Sequence, residues 1–292
     1  MKSAARWLQP LIDQPVSGAL AVVLLWGLNV VMMKIGLNDM SPLLFTASRF
    51  ALLALVLLPF WRIARHQFRD IATLALVMGI GHFCTLAIGI SYVDSSVAGL
   101  ILLLGAPCSS LLAFLFLNER LRPVQVLALL GAVAGIATPI LLQQQVELQL
   151  GAVIILFSML VWAAGNLLVR RISDLPVLTV QFWIGIISSP LCMLLWWLQP
   201  DSRPFSEQLT GNSIASLLYV VGGSSVLAYY IWYRLISRHS INRIVNLTLL
   251  QPLVTMGFGY LLLDEMLSGL QLTGAAVTLA AMWLFYQARQ RA

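Results

Sequence analysis

The chain has 292 residues, of which 60% are hydrophobic and only 10% charged, with a formal net charge of +6. A soluble domain carries about 25% charged residues, so this composition excludes a water-exposed surface over most of the chain. The basic excess forms no cluster outside short loops, which excludes a nucleic-acid footprint.

The first charge-free stretch runs from Gln14 to Met33. No small-residue cleavage site follows it, so it is expected to be a retained span and not a signal peptide. The next, from Pro42 to Trp61, is apolar except for Arg49. Charge-free stretches then run from Ile71 to Val93, Ser95 to Asn118, Pro123 to Val146, Leu148 to Val169, Leu175 to Pro200, Gln208 to Tyr233, Ile244 to Leu263 and Met266 to Ala288. A spanning helix needs about 20 apolar residues, so the chain reads as ten transmembrane helices. Barrel strands are shorter, about 10 residues, and alternate polar with apolar. The expected fold is therefore an all-α integral membrane bundle embedded in a lipid bilayer. Cys84, Cys108 and Cys192 all fall inside apolar runs without disulfide or metal spacing and read as small buried hydrophobes. No metal or cofactor is expected.

Ten spans place both termini on one side. Of the 17 Lys and Arg residues, only Lys34 and Arg203 then fall on the opposite side, and Arg49 falls within a span. Basic loops face the cytoplasm, so both termini are expected there, in a multi-pass protein of a bacterial inner membrane. The loops are too short to hold a soluble domain, and a monomer is expected.

The two halves echo one another. The first helix carries Trp26-Gly27-Leu28-Asn29 and the sixth Trp162-Ala163-Ala164-Gly165-Asn166. Pro107 precedes Asn118-Glu119-Arg120-Leu121 and Gln125, as Pro252 precedes Asp264-Glu265-Met266-Leu267 and Gln271. Pro42 and Pro176 open the second and seventh helices alike. Residues 1–146 and 147–292 therefore read as two repeats of five helices each. Five is odd, so the second half enters the membrane from the opposite side. Inverted repeats of this kind underlie many secondary transporters.

With these residues, and with Arg49-Phe50 and Leu263-Asp264-Glu265 … Gly269-Leu270-Gln271, the sequence resembles the EamA type of the drug/metabolite transporter superfamily from about Ala19 to Phe285. Within that superfamily the likeness runs to exporters of O-acetylserine and cysteine. The resemblance implies a ten-helix carrier of a small-molecule metabolite, with a central cavity.

Several residues have two readings. Trp26 with Asn29, and Trp162 with Asn166, each share a helix face; they form a cargo cavity, or they glue helices together. Arg49 is a cation for a cargo carboxylate, or a structural group that satisfies carbonyls in the bundle; its presence across varied cargo in the resembled family favours the second. Pro107 and Pro252 fall near the middles of their helices and free the carbonyls of Leu103 and Thr248, at a site or at a plain kink. Asn246 and Gln251 turn the ninth helix toward the cavity. His82 is a proton relay or a neutral hydrogen-bonded ring. Tyr229 and Tyr230 line the cavity or belong to an interfacial belt. Glu119 and Glu265 stand at helix ends, where they cap neighbours or gate. Gly131 and Gly135 permit close helix approach.

The leading reading is a secondary exporter working by alternating access. No Walker A sequence is present, so this chain does not hydrolyse ATP. A facilitator or channel for other metabolites or drugs is the alternative. A membrane-embedded enzyme would need clustered acids, a metal set or a nucleophile and base, and none is seen.

Overall fold

The computed structural model describes residues 14–117, 121–143, 146–169, 175–200, 203–238 and 246–290. All regular structure among them is helical. Eight helices are long and apolar enough to cross a membrane: α1 (Pro15–Asp39), α3 (Arg65–Tyr92), α4 (Ser95–Phe116), α5 (Pro123–Leu142), α6 (Val146–Val169), α7 (Val177–Trp197), α8 (Gly211–Leu235) and α10 (Gly269–Ala288). Two apolar helices are shorter, α2 (Pro42–Val56) and α9 (Leu247–Leu263).

The expected second span is thus cut short. Pro59 disfavours helical backbone in the residue before it, and the chain tightens into a 3-10 turn at Leu58–Phe60. The 15 residues of α2 rise only about 22 Å at 1.5 Å each, against a hydrocarbon core of about 30 Å. Prolines start helices as read from sequence: Pro42 occupies the first turn of α2, and Pro176 is the N-cap of α7.

Many large apolar side chains face outward, among them Phe116 and Trp197, each 72% exposed. A water-soluble monomer rarely shows such a surface. A belt of this kind is what lipid tails cover.

Helix packing follows a pattern. The broadest pairings are α5 with α10 and α2 with α7. α1 packs on α8 and α9, α6 packs on α3 and α4, and α4 meets α9. Replacing each helix by the one five places along the chain turns α1–α9 into α6–α4 and α1–α8 into α6–α3. It maps α2–α7, α4–α9 and α5–α10 onto themselves.

The α5–α10 seam shows why glycine is needed there. A Cβ on Gly135 would lie 2.7 Å from the Gly274 carbonyl, and one on Gly274 would lie 2.3 Å from the Gly135 carbonyl. Thr278 Oγ1 donates across the seam to the Ala132 carbonyl at 3.3 Å. Cys84 and Cys192, read separately as buried hydrophobes, face each other between α3 and α7 with sulfurs 3.0 Å apart.

Two features were not foreseen. α3 is π-helical over Leu76–Cys84, and α8 is π-helical over Tyr219–Ala228. π turns are rare and gather at functional sites.

Candidate functional site

A cavity of about 300 Å³ opens among eight helices, α1 to α4 from the first half and α6, α8, α9 and α10 from the second. α5 and α7 contribute no lining residue and buttress α10 and α2 from outside. Helix irregularities shape the space. α4 breaks into a turn at Leu103–Leu104, just before Pro107. α9 runs as a 3-10 helix over Asn246–Leu250 and becomes α-helical at Gln251. Pro252 therefore lies in the first turn of the α-helical part, not mid-helix as expected, because a missing N–H costs least there. Leu103 and Thr248, the positions whose carbonyls the prolines free, both line the cavity.

Of the residues read as cargo contacts, Trp26, Asn29, His82, Trp162, Tyr229 and Gln251 all line this one cavity. Trp26 meets Tyr229 edge to face with ring centroids 5.5 Å apart, and Tyr229 stacks on Tyr233 at 5.9 Å. The Trp162 ring lies over Gly105, where a Cβ would come within 3.1 Å of it.

Asn166 does not line the cavity. In a helix, i+3 falls about 60° to one side of residue i and i+4 about 40° to the other. Asn29 is three residues after Trp26 and Asn166 four after Trp162, so the two amides fall on opposite flanks. Gly165, which takes the i+3 place in α6, packs against the Met78 side chain of α3. Tyr230 also points elsewhere, with the Arg234 guanidinium 5.5 Å from its ring centroid. The Asn246 side chain and Glu119 lie outside the described residues.

Arg49, set among the structural residues by the sequence reading, lines the cavity although it is only 7% exposed. Its Nη2 donates to Ser225 Oγ at 3.3 Å, and its Cζ lies 4.5 Å from the Phe83 ring centroid. Ser225 in turn donates to the Val220 carbonyl at 2.8 Å, a bond to the fifth residue back within the π-helical turn. The irregular turn of α8 thus holds the hydroxyl that receives Arg49.

His82 is fixed by Ser158 of α6. The Ser158 hydroxyl donates to the His82 carbonyl at 3.0 Å, leaving its oxygen to accept from His82 Nδ1 at 2.7 Å. The Ser158 carbonyl, 3.2 Å from Nδ1, can only accept. Both contacts demand a proton on Nδ1, so the neutral ring keeps Nε2 as an acceptor.

Glu265 stands away from the cavity and caps α4. It accepts from the backbone N–H of Ser95 at 2.7 Å and of Ser96 at 3.0 Å. Nearby, Lys34 Nζ donates to the carbonyls of Ile90 and Ser91 at the end of α3.

Sequence reasoning missed Phe83, Ser224 and Tyr286, which also line the cavity. The Gly-Gly-Ser-Ser run at 222–225 is a polar, small-residue interruption of an apolar span, and was a usable signal. Phe83 carried none, because an aromatic residue in a span is ordinary.

The model of the EamA-like transporter family matches this chain twice, over residues 15–140 and 149–287. The chain belongs to that family. It is 30% identical to a protein of Salmonella typhimurium described as a probable amino-acid metabolite efflux pump, over 91% of this chain and 92% of that one. A protein of Escherichia coli with the same description is 29% identical over 91% and 92%. A solved crystal structure aligns with a TM-score of 0.62 over 96% of this chain and 99% of its own, at 18% identity, and so bears on the fold alone.

Proposed function

We propose that this chain is a secondary exporter of a small metabolite, an amino acid or a derivative such as O-acetylserine or cysteine, across a bacterial inner membrane. In this reading ten helices form two inverted repeats, residues 1–146 and 147–292, with both termini in the cytoplasm. Trp26, Asn29, His82, Trp162, Tyr229 and Gln251 contact cargo. Alternating access comes from rearrangement of one half against the other around the cavity.

The observation that carries the reading is a cavity lined by helices of both halves, within packing that repeats on a five-helix shift. Hydrogen bonds between the halves support a state closed on the face of Lys34 and Arg203. Asp39 accepts from Thr210 and, through its carbonyl, from Arg203 Nη2 at 2.9 Å. The Ser41 N–H donates to Gln208 Oε1 at 2.8 Å, and Glu265 caps α4. The cargo class draws on the two relatives described as amino-acid metabolite efflux pumps.

Counterflow in proteoliposomes tests it. Vesicles preloaded with unlabelled amino acid should take up labelled amino acid transiently above equilibrium, with saturation. Uptake that rises linearly with concentration and shows no overshoot would mean a channel instead. Chemical alteration of the substrate would mean an enzyme.

A further inference from the structure

Among the described residues, the cavity is lined by a cation and by no anion. Arg49 is 7% exposed, and among the described residues no carboxylate lines the cavity. One hydroxyl contact, to Ser225, and the faces of Phe83 and Phe50 partly offset its charge, while Nε is buried with no hydrogen-bond partner among the described residues. A guanidinium keeps its charge and offers five donors in a planar fork that matches a carboxylate. Burying a charge without a counter-ion is strongly unfavourable, so this lining favours a bound molecule that brings its own anionic group.

The same cavity has the opposite need as well. Asn29 Nδ2 is turned to Met33 Sδ at 3.6 Å, and its Oδ1 is buried without a donor among the described residues. In the neutral tautomer fixed by Ser158, His82 Nε2 is a further acceptor. One fixed cation, unfilled acceptors and aromatic walls call for a molecule with one carboxylate and an N–H donor. A cationic cargo would be repelled by Arg49.

We propose that Arg49 is the cargo-binding cation of this cavity, pairing with the free carboxylate of a molecule whose N–H group donates to Asn29 Oδ1. This refines the exporter reading and rests on it. It also gives Arg49 a role in recognition beyond bundle structure.

The test is thermal unfolding of the purified full-length protein in detergent. The probes are L-cysteine, O-acetyl-L-serine, L-serine and L-phenylalanine, each beside its methyl ester and carboxamide, on wild type, Arg49→Lys and Arg49→Gln. At least one free acid should raise the melting temperature, with its ester and amide weaker by about ten-fold or more, the scale of a lost buried charge partner. Arg49→Gln should lose the acid response, and Arg49→Lys should keep part of it. Equal responses to acid and ester, no response to any acid, or an undiminished response in Arg49→Gln would overturn the proposal. If Arg49→Gln does not fold, the comparison of acid with ester on wild type decides alone. Transport is not measured here, so the two readings can fail separately. Carboxylate-selective binding without counterflow sinks the exporter, and counterflow indifferent to esterification sinks only the role of Arg49.

Discussion

The Ser96 hydroxyl donates to Glu265 Oε2 at 2.6 Å, and the Ser96 backbone N–H donates to the same oxygen at 3.0 Å. Ser95 adds its own N–H and hydroxyl at 2.7 and 3.0 Å. A helix start leaves N–H groups without partners and carries partial positive charge, so one carboxylate meets both demands. The chain delivers it sharply. Asp264 adopts left-handed backbone at φ 54°, and the N–H groups of Asp264 and Glu265 both reach the Gly259 carbonyl.

Removing that carboxylate should destabilise the fold. Glu265→Ala is expected to cost about 2 kcal/mol, the scale of hydrogen bonds to a charged group, seen as a lower melting temperature in detergent. A Cβ on Gly259 would lie 2.6 Å from Glu265 Oε2, so Gly259→Ala should cost a similar amount. In a Glu265→Ala background the same glycine change should cost less, because the tightest contact has gone and the Ser95 and Ser96 hydroxyls, 2.9 and 3.0 Å from such a Cβ, are released from the carboxylate and can turn aside. Additive losses in the double variant would show that the two residues do not act together.

The two asparagines should behave differently. Asn29 lines the cavity and Asn166 does not. Asn29→Ala is expected to lower counterflow about ten-fold, the effect of leaving a cargo donor unpaired, with membrane abundance unchanged. Asn166→Ala is expected to transport within about two-fold of wild type, as a change away from the site does. Equal losses in both variants would return Asn166 to the site.

Ser158→Ala removes the two hydroxyl hydrogen bonds that tie His82 to α6 and leaves Nδ1 only the Ser158 carbonyl. We expect a loss of about 1–2 kcal/mol, read by thermal unfolding. Ser158→Thr keeps the hydroxyl and should recover part of it; failure to do so would argue against the hydroxyl as the cause.

Gly274→Val pushes side-chain atoms into the Gly135 carbonyl and the Pro139 ring. Overpacking of this kind costs about 1–3 kcal/mol. Because neither Gly274 nor any residue of α5 lines the cavity, variant protein that reaches the membrane should retain cargo binding in the thermal assay. Lost binding in well-folded variant would show that the seam governs the cavity.

The membrane bundle was readable because runs of uncharged residues have a length that only helices explain. Proline marked helix starts at Pro42 and Pro176 for the same elementary reason, a missing N–H. It misled at Pro252, where the change from 3-10 to α-helix depends on surrounding packing. The one-residue difference between Trp26–Asn29 and Trp162–Asn166 was visible, yet its meaning needed the position of each helix in three dimensions. Ser158 beside His82, and Cys84 beside Cys192, join residues 76 and 108 positions apart. Periodicity within one helix carries no information about such pairs. Arg49 was read within an apolar helix, which it is, but that no acid lines the cavity beside it among the described residues could be seen only once the neighbouring helices were assembled.

The π-helical stretches of α3 and α8 have a mechanical consequence. A π turn bonds to the fifth residue back instead of the fourth, so it stores one surplus residue as slack. Passing that slack along the helix exchanges one hydrogen bond for another without unfolding, and swivels the part it crosses by about 100°. His82 lies within one such stretch, and Tyr229 directly follows the other. Both can therefore be re-aimed by torsion inside their own helices while the helix ends stay moored.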